Sequence, residues 1–236
     1  MRTCIYIILS LIIFSSCTED TSNNLTINGN VKGLKVGKLI LQKIQDSVLV
    51  NLDSVQIDGD GKFSLTTFIE EPQILYLYLD KKDGTVYDDR LTFFAQDTIM
   101  SINTTLEKFE NDAVITGSKN QEILNVFNGN IEKLNQTYTE LMKRSMTLQQ
   151  QESPSQEDIE QLDVDYDKYL RKRVLYALSF ATVNKDKEVA PYILVQEGFD
   201  TNPELLDSVY NQMPKKIQTS LYGKELSELI KDLKEL

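Results

Sequence analysis

Cys17 is the residue whose setting most clearly prescribes a chemistry. Arg2 precedes an apolar run from Ile5 to Phe14, and the small pair Ser15 and Ser16 stands directly before the cysteine. About ten residues of helix rise roughly 15 Å, half of the roughly 30 Å hydrocarbon core of a bilayer. The run is therefore too short to span a membrane stably. A positive start, a short apolar stretch and small residues before a cleavage point make up a secretion-signal pattern. A cysteine immediately after them is the acceptor that lipoprotein processing requires: its sulfur becomes a thioether and its freed amine takes a further acyl chain. The expectation is a lipoprotein signal peptide over residues 1–16 and a Cys17 carrying palmitate-type chains, enough to exceed the two signals needed for stable anchoring. The plainer alternative is an ordinary signal cut near Ser16 that leaves Cys17 a free thiol. Phe14, three positions before the cysteine, departs from the usual Leu, Val or Ile.

The rest of the composition narrows the chemistry by subtraction. The chain has no His and two Cys. Cys4 leaves with the signal and Cys17 is consumed by acylation, so no free thiol and no intramolecular disulfide are expected. Without His the commonest general base and transition-metal ligand are missing. The expectation is a protein that is not an enzyme and holds no cofactor or metal. The formal net charge of −11 and the lack of a polybasic stretch argue against nucleic acid and against electrostatic attachment to anionic headgroups. Membrane attachment is expected to come from the lipid on Cys17.

The remaining constellations have bland readings beside the chemical ones. Asp58 and Asp60 alternate like the start of a calcium loop, but such a loop needs an acidic or amide residue at the fifth place and Gly at the sixth. Lys62 and Phe63 stand there, and a hairpin turn is the better reading. Successive members of Asp163, Asp165 and Asp167 would lie roughly 200° apart around a helix rather than converge on one ion, and they read as solvated positions. Arg171-Lys172-Arg173 is the one basic cluster and reads as surface ion pairs. Tyr76 and Tyr78, with Tyr87 nearby, are the candidate ligand-binding residues, because tyrosine rings supply rigid amphipathic contact area for a sugar or peptide. They alternate with Leu75, Leu77 and Leu79, so if the leucines face the core the tyrosines lie on the outer face, where the bland reading is strand residues packed by a neighbouring helix. Phe93 and Phe94 must point oppositely, one into the core and the other under a helix or a partner.

The elements that position these residues follow from hydrophobic period. Residues 17–24 are polar after the cysteine and are expected to form a tether. From Leu25 to Ile115, short alternating runs separated by turn residues predict strands at Leu25 to Val31, Lys38 to Ile44, Val48 to Ile57, Lys62 to Phe68, Ile74 to Leu79, Leu91 to Ala95, Thr98 to Asn103 and Ala113 to Ile115. Asp58-Gly59-Asp60-Gly61 is a hairpin signal. An antiparallel β-sandwich over 25–117 closes so many short strands. After Gly117 the period changes. Leu124, Phe127, Ile131, Leu134, Tyr138 and Leu141 stripe one long helix, and Ile159, Leu162, Tyr166, Tyr169, Tyr176 and Phe180 a second, interrupted by Arg173. Gln149 to Gln156 is the loop between them, with Ser155 and Asp158 arranged as a capping box. Further helices are expected at Val189 to Glu197, Pro203 to Gln212 and Ser220 to Leu236. The fold class is α+β: a β-sandwich, then a helical hairpin and C-terminal helices over 118–236.

Several short motifs occur in order along the β half: Asn28-Gly29-Asn30-Val31-Lys32-Gly33-Leu34, Leu52-Asp53-Ser54-Val55 leading to Gly61-Lys62-Phe63-Ser64-Leu65, Glu71-Pro72, Tyr76 to Asp80, and Ile115-Thr116-Gly117-Ser118-Lys119-Asn120. Together they resemble domain of unknown function 4369, found on secreted lipoproteins of Bacteroidota. The resemblance covers roughly residues 25 to 140. Ser220-Leu221-Tyr222-Gly223-Lys224 is similar to the connector that in such proteins leads to a thioredoxin-like domain with a Cys-x-x-Cys motif, which this sequence lacks. Glu19 and Asp20 resemble acidic export signals of that phylum, or are simply part of a hydrophilic tether. The resemblance implies a cell-envelope lipoprotein of the outer membrane, on its periplasmic or its surface side, acting as a non-catalytic interaction module. The alternatives are a glycan or small-molecule binding lipoprotein and a trans partner of a separate thioredoxin-like envelope protein.

Overall fold

The computed structural model describes residues 22–81 and 89–235. Cys17 and Tyr87 lie outside the described residues. Eight strands come first: β1 (Leu25–Lys32), β2 (Val36–Gln45), β3 (Val48–Asp58), β4 (Lys62–Thr67), β5 (Gln73–Asp80), β6 (Asp89–Ala95), β7 (Ile99–Thr105) and β8 (Val114–Thr116). Six helices follow: α1 (Lys119–Gln149), α2 (Gln156–Val183), α3 (Val189–Glu197), α4 (Pro203–Tyr210), α5 (Lys215–Gln218) and α6 (Leu221–Glu235). The class is α+β, as the change of hydrophobic period near Gly117 predicts. The single-turn α5 is an addition to the expected elements.

The strands form two four-stranded sheets, β4-β1-β7-β8 and β3-β2-β5-β6. Alternation puts one set of side chains from each sheet into a shared core, with Ile27, Leu65, Met100 and Ile102 from the first sheet meeting Leu39, Leu41, Leu77 and Phe93 from the second. The sandwich departs from the expected antiparallel pattern at one place. β1 and β7 run parallel, from Thr26 opposite Ile99 to Lys32 opposite Thr105. A period of two says which face a side chain takes and nothing about strand direction; here the chain lays β4 on one side of β1 and completes the whole second sheet before it returns as β7 on the other side of β1.

Two glycines permit close backbone approaches at β1, Gly29 toward β7 and Gly61 from the β3–β4 connection. A Cβ on Gly29 would lie 1.9 Å from the Ile102 carbonyl oxygen and 2.6 Å from the Phe63 ring, so only glycine admits the close approach. Gly61 has φ of +73°, and a Cβ there would meet the Val31 carbonyl oxygen at 2.3 Å. Its own carbonyl accepts from the Val31 N–H at 2.9 Å. The Asp58 to Gly61 segment is a turn that carries the chain from β3 in one sheet to β4 in the other, not the expected hairpin, because β3 pairs with β2 and β4 with β1; Asp60 accepts from the Lys62 N–H and pairs with the Lys62 ammonium at the surface.

The expected tether reaches too far. Asn24 donates to the Ile69 carbonyl at 2.8 Å and accepts from the Ile69 N–H at 2.9 Å, and Asn23 donates to the Thr66 hydroxyl. Asn23 and Asn24 therefore belong to the folded part, because amide side chains can make the paired bonds that a bare polar composition does not disclose.

A second core forms between the helices and the outer face of the β3-β2-β5-β6 sheet. Leu124, Phe127 and Ile131 of α1 join Ala177, Leu178 and Ala181 of α2, Ile193 and Leu194 of α3 and Leu226 and Ile230 of α6. Ile74 of β5 and Phe94 of β6 belong to this cluster, while Phe93 belongs to the sandwich core. The adjacent phenylalanines divide between the two cores as alternation requires. Ser118 caps α1 by accepting from the Gln121 N–H at 3.2 Å. Ser155 occupies the cap position of α2, but its side chain makes no capping bond, so the expected capping box is absent.

Candidate functional site

The leucine set of β5 is buried, so Tyr76 and Tyr78 do lie on the outer face of their sheet. Their surroundings differ. Tyr78 lies beneath the Arg90 guanidinium, 5.5 Å from its ring centroid. Tyr76 borders a crevice of about 720 Å³. The two residues therefore share a face without sharing a site.

The crevice originates in the backbone. β2 pairs with β5 from Lys38 opposite Asp80 to Gln42 opposite Tyr76, and the pairing stops there. β3 carries one extra residue, Leu52, since Leu41 faces Asp53 and Gln42 faces Asn51. Such a bulge bends and twists the strand pair. Beyond it the β2–β3 hairpin continues alone to a two-residue turn, Asp46 (φ 50°) and Ser47 (φ 64°), both left-handed as a hairpin of this type demands. The hairpin end peels away from β5 and opens the gap.

Helices complete what the departing strand leaves. The Ile74 N–H, which has no β2 partner, donates to the Tyr222 hydroxyl of α6 at 2.8 Å. On the neighbouring strand the Phe94 N–H donates to Gln121 Oε1 of α1 at 2.6 Å. The Glu71 carboxylate accepts from the Leu221 N–H at 2.8 Å, where the N-terminal end of α6 favours negative charge. Tyr192 of α3 and Tyr222 then face the crevice with Tyr76. The Tyr192 and Tyr222 rings meet edge to face at 5.0 Å, and both pack against Phe94.

Residues 25–124 match the family model described as Domain of unknown function (DUF4369). Those residues form a DUF4369 domain. No curated protein matches the chain. Among solved structures, transthyretin from Sparus aurata is 12% identical over 40% of this chain and 98% of its own, with a TM-score of 0.27, too slight a likeness to support an inference. The DUF4369 domain takes in all eight strands and the start of α1. It supplies Tyr76, Glu70 and Glu71 to the crevice, whereas Tyr192, Tyr222 and Glu225 come from helices beyond it.

Burial governs the electrostatics. It pushes the Tyr192 phenol up to about 12, with the Tyr76 hydroxyl adding to the effect. It raises Tyr222 further, against the opposing influence of the Ile74 N–H. The Glu225 carboxyl is also raised, first by burial and then by Glu228. Glu225 has no hydrogen bond or ion pair among the described residues. Sequence reasoning found Tyr76 through strand alternation. It missed Tyr192 and Glu225, whose only local signal was membership of helices, and it met Tyr222 only within a connector-like pentapeptide, not as a site residue.

A second cavity, about 760 Å³, lies outside the DUF4369 domain between α1, α2 and the α3–α4 connection. Tyr138, Tyr166 and Tyr169 line it with ring centroids 5.6 to 6.4 Å apart. Arg173, which breaks the apolar stripe of α2, donates to Glu197 through Nε at 2.5 Å and Nη2 at 2.9 Å, and through Nη1 to the Tyr169 hydroxyl at 3.0 Å. This bidentate pair holds Arg173 well above the usual guanidinium range, Glu197 being the main cause. Arg173 is thus a clamp between α2 and α3 rather than an ordinary surface charge. Asp165 meets Arg144 across the helical hairpin at 2.9 Å. Among the described residues, no cluster of His, Cys, Asp or Glu could hold a metal ion, and no helix is long and apolar enough to cross a membrane.

Proposed function

We propose that this chain is a non-catalytic interaction module of the cell envelope, anchored in the outer membrane through lipid on Cys17, and that it engages its partner at the crevice beside Tyr76. The observation that carries this reading is the composition of the crevice. Three tyrosines from two parts of the chain converge on a concavity of about 720 Å³, within the range of ligand sites. Tyrosine is enriched among residues that dominate binding energy. The absence of His from the chain and the engagement of Glu71 by a helix end favour binding over proton-transfer chemistry. The three rings also suit a glycan or small molecule, which is the second reading.

A photo-crosslinking amino acid at Gln196, on the crevice wall, distinguishes the two. In envelope membranes it should yield a discrete protein adduct that weakens when Tyr76→Ala is added. Adducts with carbohydrate alone would replace the first reading by the second. The anchor is tested separately: Cys17→Ala should release the protein from membranes and abolish acyl labelling, and retention of the variant in the membrane fraction would refute the lipid attachment.

A further inference from the structure

We propose that the crevice beside Tyr76 receives a cation, the ammonium or guanidinium group of a lysine or arginine side chain on a basic partner protein. The inference rests on the crevice being the binding surface and adds the chemistry of what enters it. Tyr76, Tyr192 and Tyr222 present ring surface around one concavity, and the faces of such rings attract cations, more strongly where water is displaced. Glu225 stands in the same wall, half-buried, with no hydrogen bond or ion pair among the described residues. A carboxylate drawn out of water without a partner is costly, and its raised proton affinity, caused first by burial, is the sign of that cost. An arriving cation removes it.

The wider charge balance points the same way. Among the described residues, Asp46, Glu70, Glu71 and Glu225 border the crevice against a single base, Lys43 on the hairpin side, which makes no ion pair with any of them. Two apolar side chains of the crevice lining are open to solvent, Ile44 54% and Phe68 40% exposed. That surface fits the methylene stem of a long basic side chain whose head goes deeper. A neutral sugar could stack on the rings but would leave Glu225 uncompensated, and an anion would meet a ring of like charge. The formal net charge of −11 steers basic partners toward the chain.

The test is a titration of the mature chain, followed by amide NMR, with blocked pentapeptides Gly-Gly-X-Gly-Gly in which X is Arg, Lys, Gln or Glu. Arg and Lys peptides should shift the amide signals of Tyr192, Tyr222 and Glu225 saturably, with the Gln peptide about tenfold weaker and the Glu peptide silent. Glu225→Gln and Tyr76→Ala, each first shown to be folded by its spectrum, should each weaken Arg binding about fivefold. Raising the salt from about 20 to about 300 mM should weaken it further. Equal binding of the Arg and Gln peptides, no binding of either basic peptide, or indifference to Glu225→Gln would overturn the proposal. Spermidine binding more tightly than both basic peptides would overturn the protein source of the cation. A crosslinked partner that depends on Tyr76 but not on Glu225 or salt would leave the crevice as the interaction surface and sink the cation.

Discussion

Tyr222 joins sheet and helix with one hydroxyl. It accepts from the Ile74 N–H at 2.8 Å while its ring packs on Phe94 and Tyr192. Tyr222→Phe keeps the ring and removes the acceptor, leaving a buried backbone donor with nothing to bind. The cost should be about 1 to 3 kcal/mol, read as a lower urea midpoint with an unchanged slope. A variant as stable as the parent would mean that water reaches the Ile74 N–H. Sequence shows Tyr222 only as part of a connector-like pentapeptide. Its acceptor role is invisible there because the donor lies 148 positions away, beyond any local pattern. Tyr76 was legible because alternation with buried leucines is a property of neighbours in the chain.

The first turn of α1 fastens three elements together. Ser118 caps it, Gln121 Oε1 receives the Phe94 N–H of β6, and Asn120 accepts from the Val189 N–H of α3 at 3.1 Å while donating to Glu188. Gln121→Leu should cost about 2 kcal/mol through the orphaned Phe94 N–H. It should also speed hydrogen exchange at that amide, measured in the native protein; unchanged exchange would place the Phe94 donor on another acceptor. The stripe of Leu124, Phe127 and Ile131 made α1 readable as a helix, since its period needs only the helix itself. The polar side chains at its start serve distant strands and helices, and nothing nearby in sequence marks Gln121 as a substitute for a β-strand.

One sheet serves two cores, and this binds the molecule into a single unit. Its inner face completes the sandwich, and its outer face gives Ile74 and Phe94 to the helical core with Tyr76 packed against it. A fragment of residues 25–117 would expose those three side chains, which together represent roughly 5 kcal/mol of apolar burial, and would strip the partners from the Ile74 and Phe94 N–H groups. Such a fragment should bind a hydrophobic dye and unfold well below the mature chain, which should itself melt in one calorimetric transition. Equal melting temperatures would show the helices to be mere appendages of the DUF4369 domain.

Within the sequence alone, strand positions, the Asp58 to Gly61 turn, the helical stripes and the division of Phe93 from Phe94 were already determined. Each depends on periodicity or turn chemistry acting over a few neighbouring residues. Tertiary structure alone decided the parallel partnership of β1 and β7, the departure of β2 from β5, and the meeting of Tyr76 with Tyr192, Tyr222 and Glu225. Strand direction and crevice membership arise from groups far apart in the chain that meet only after both cores have closed, so no local pattern carries them.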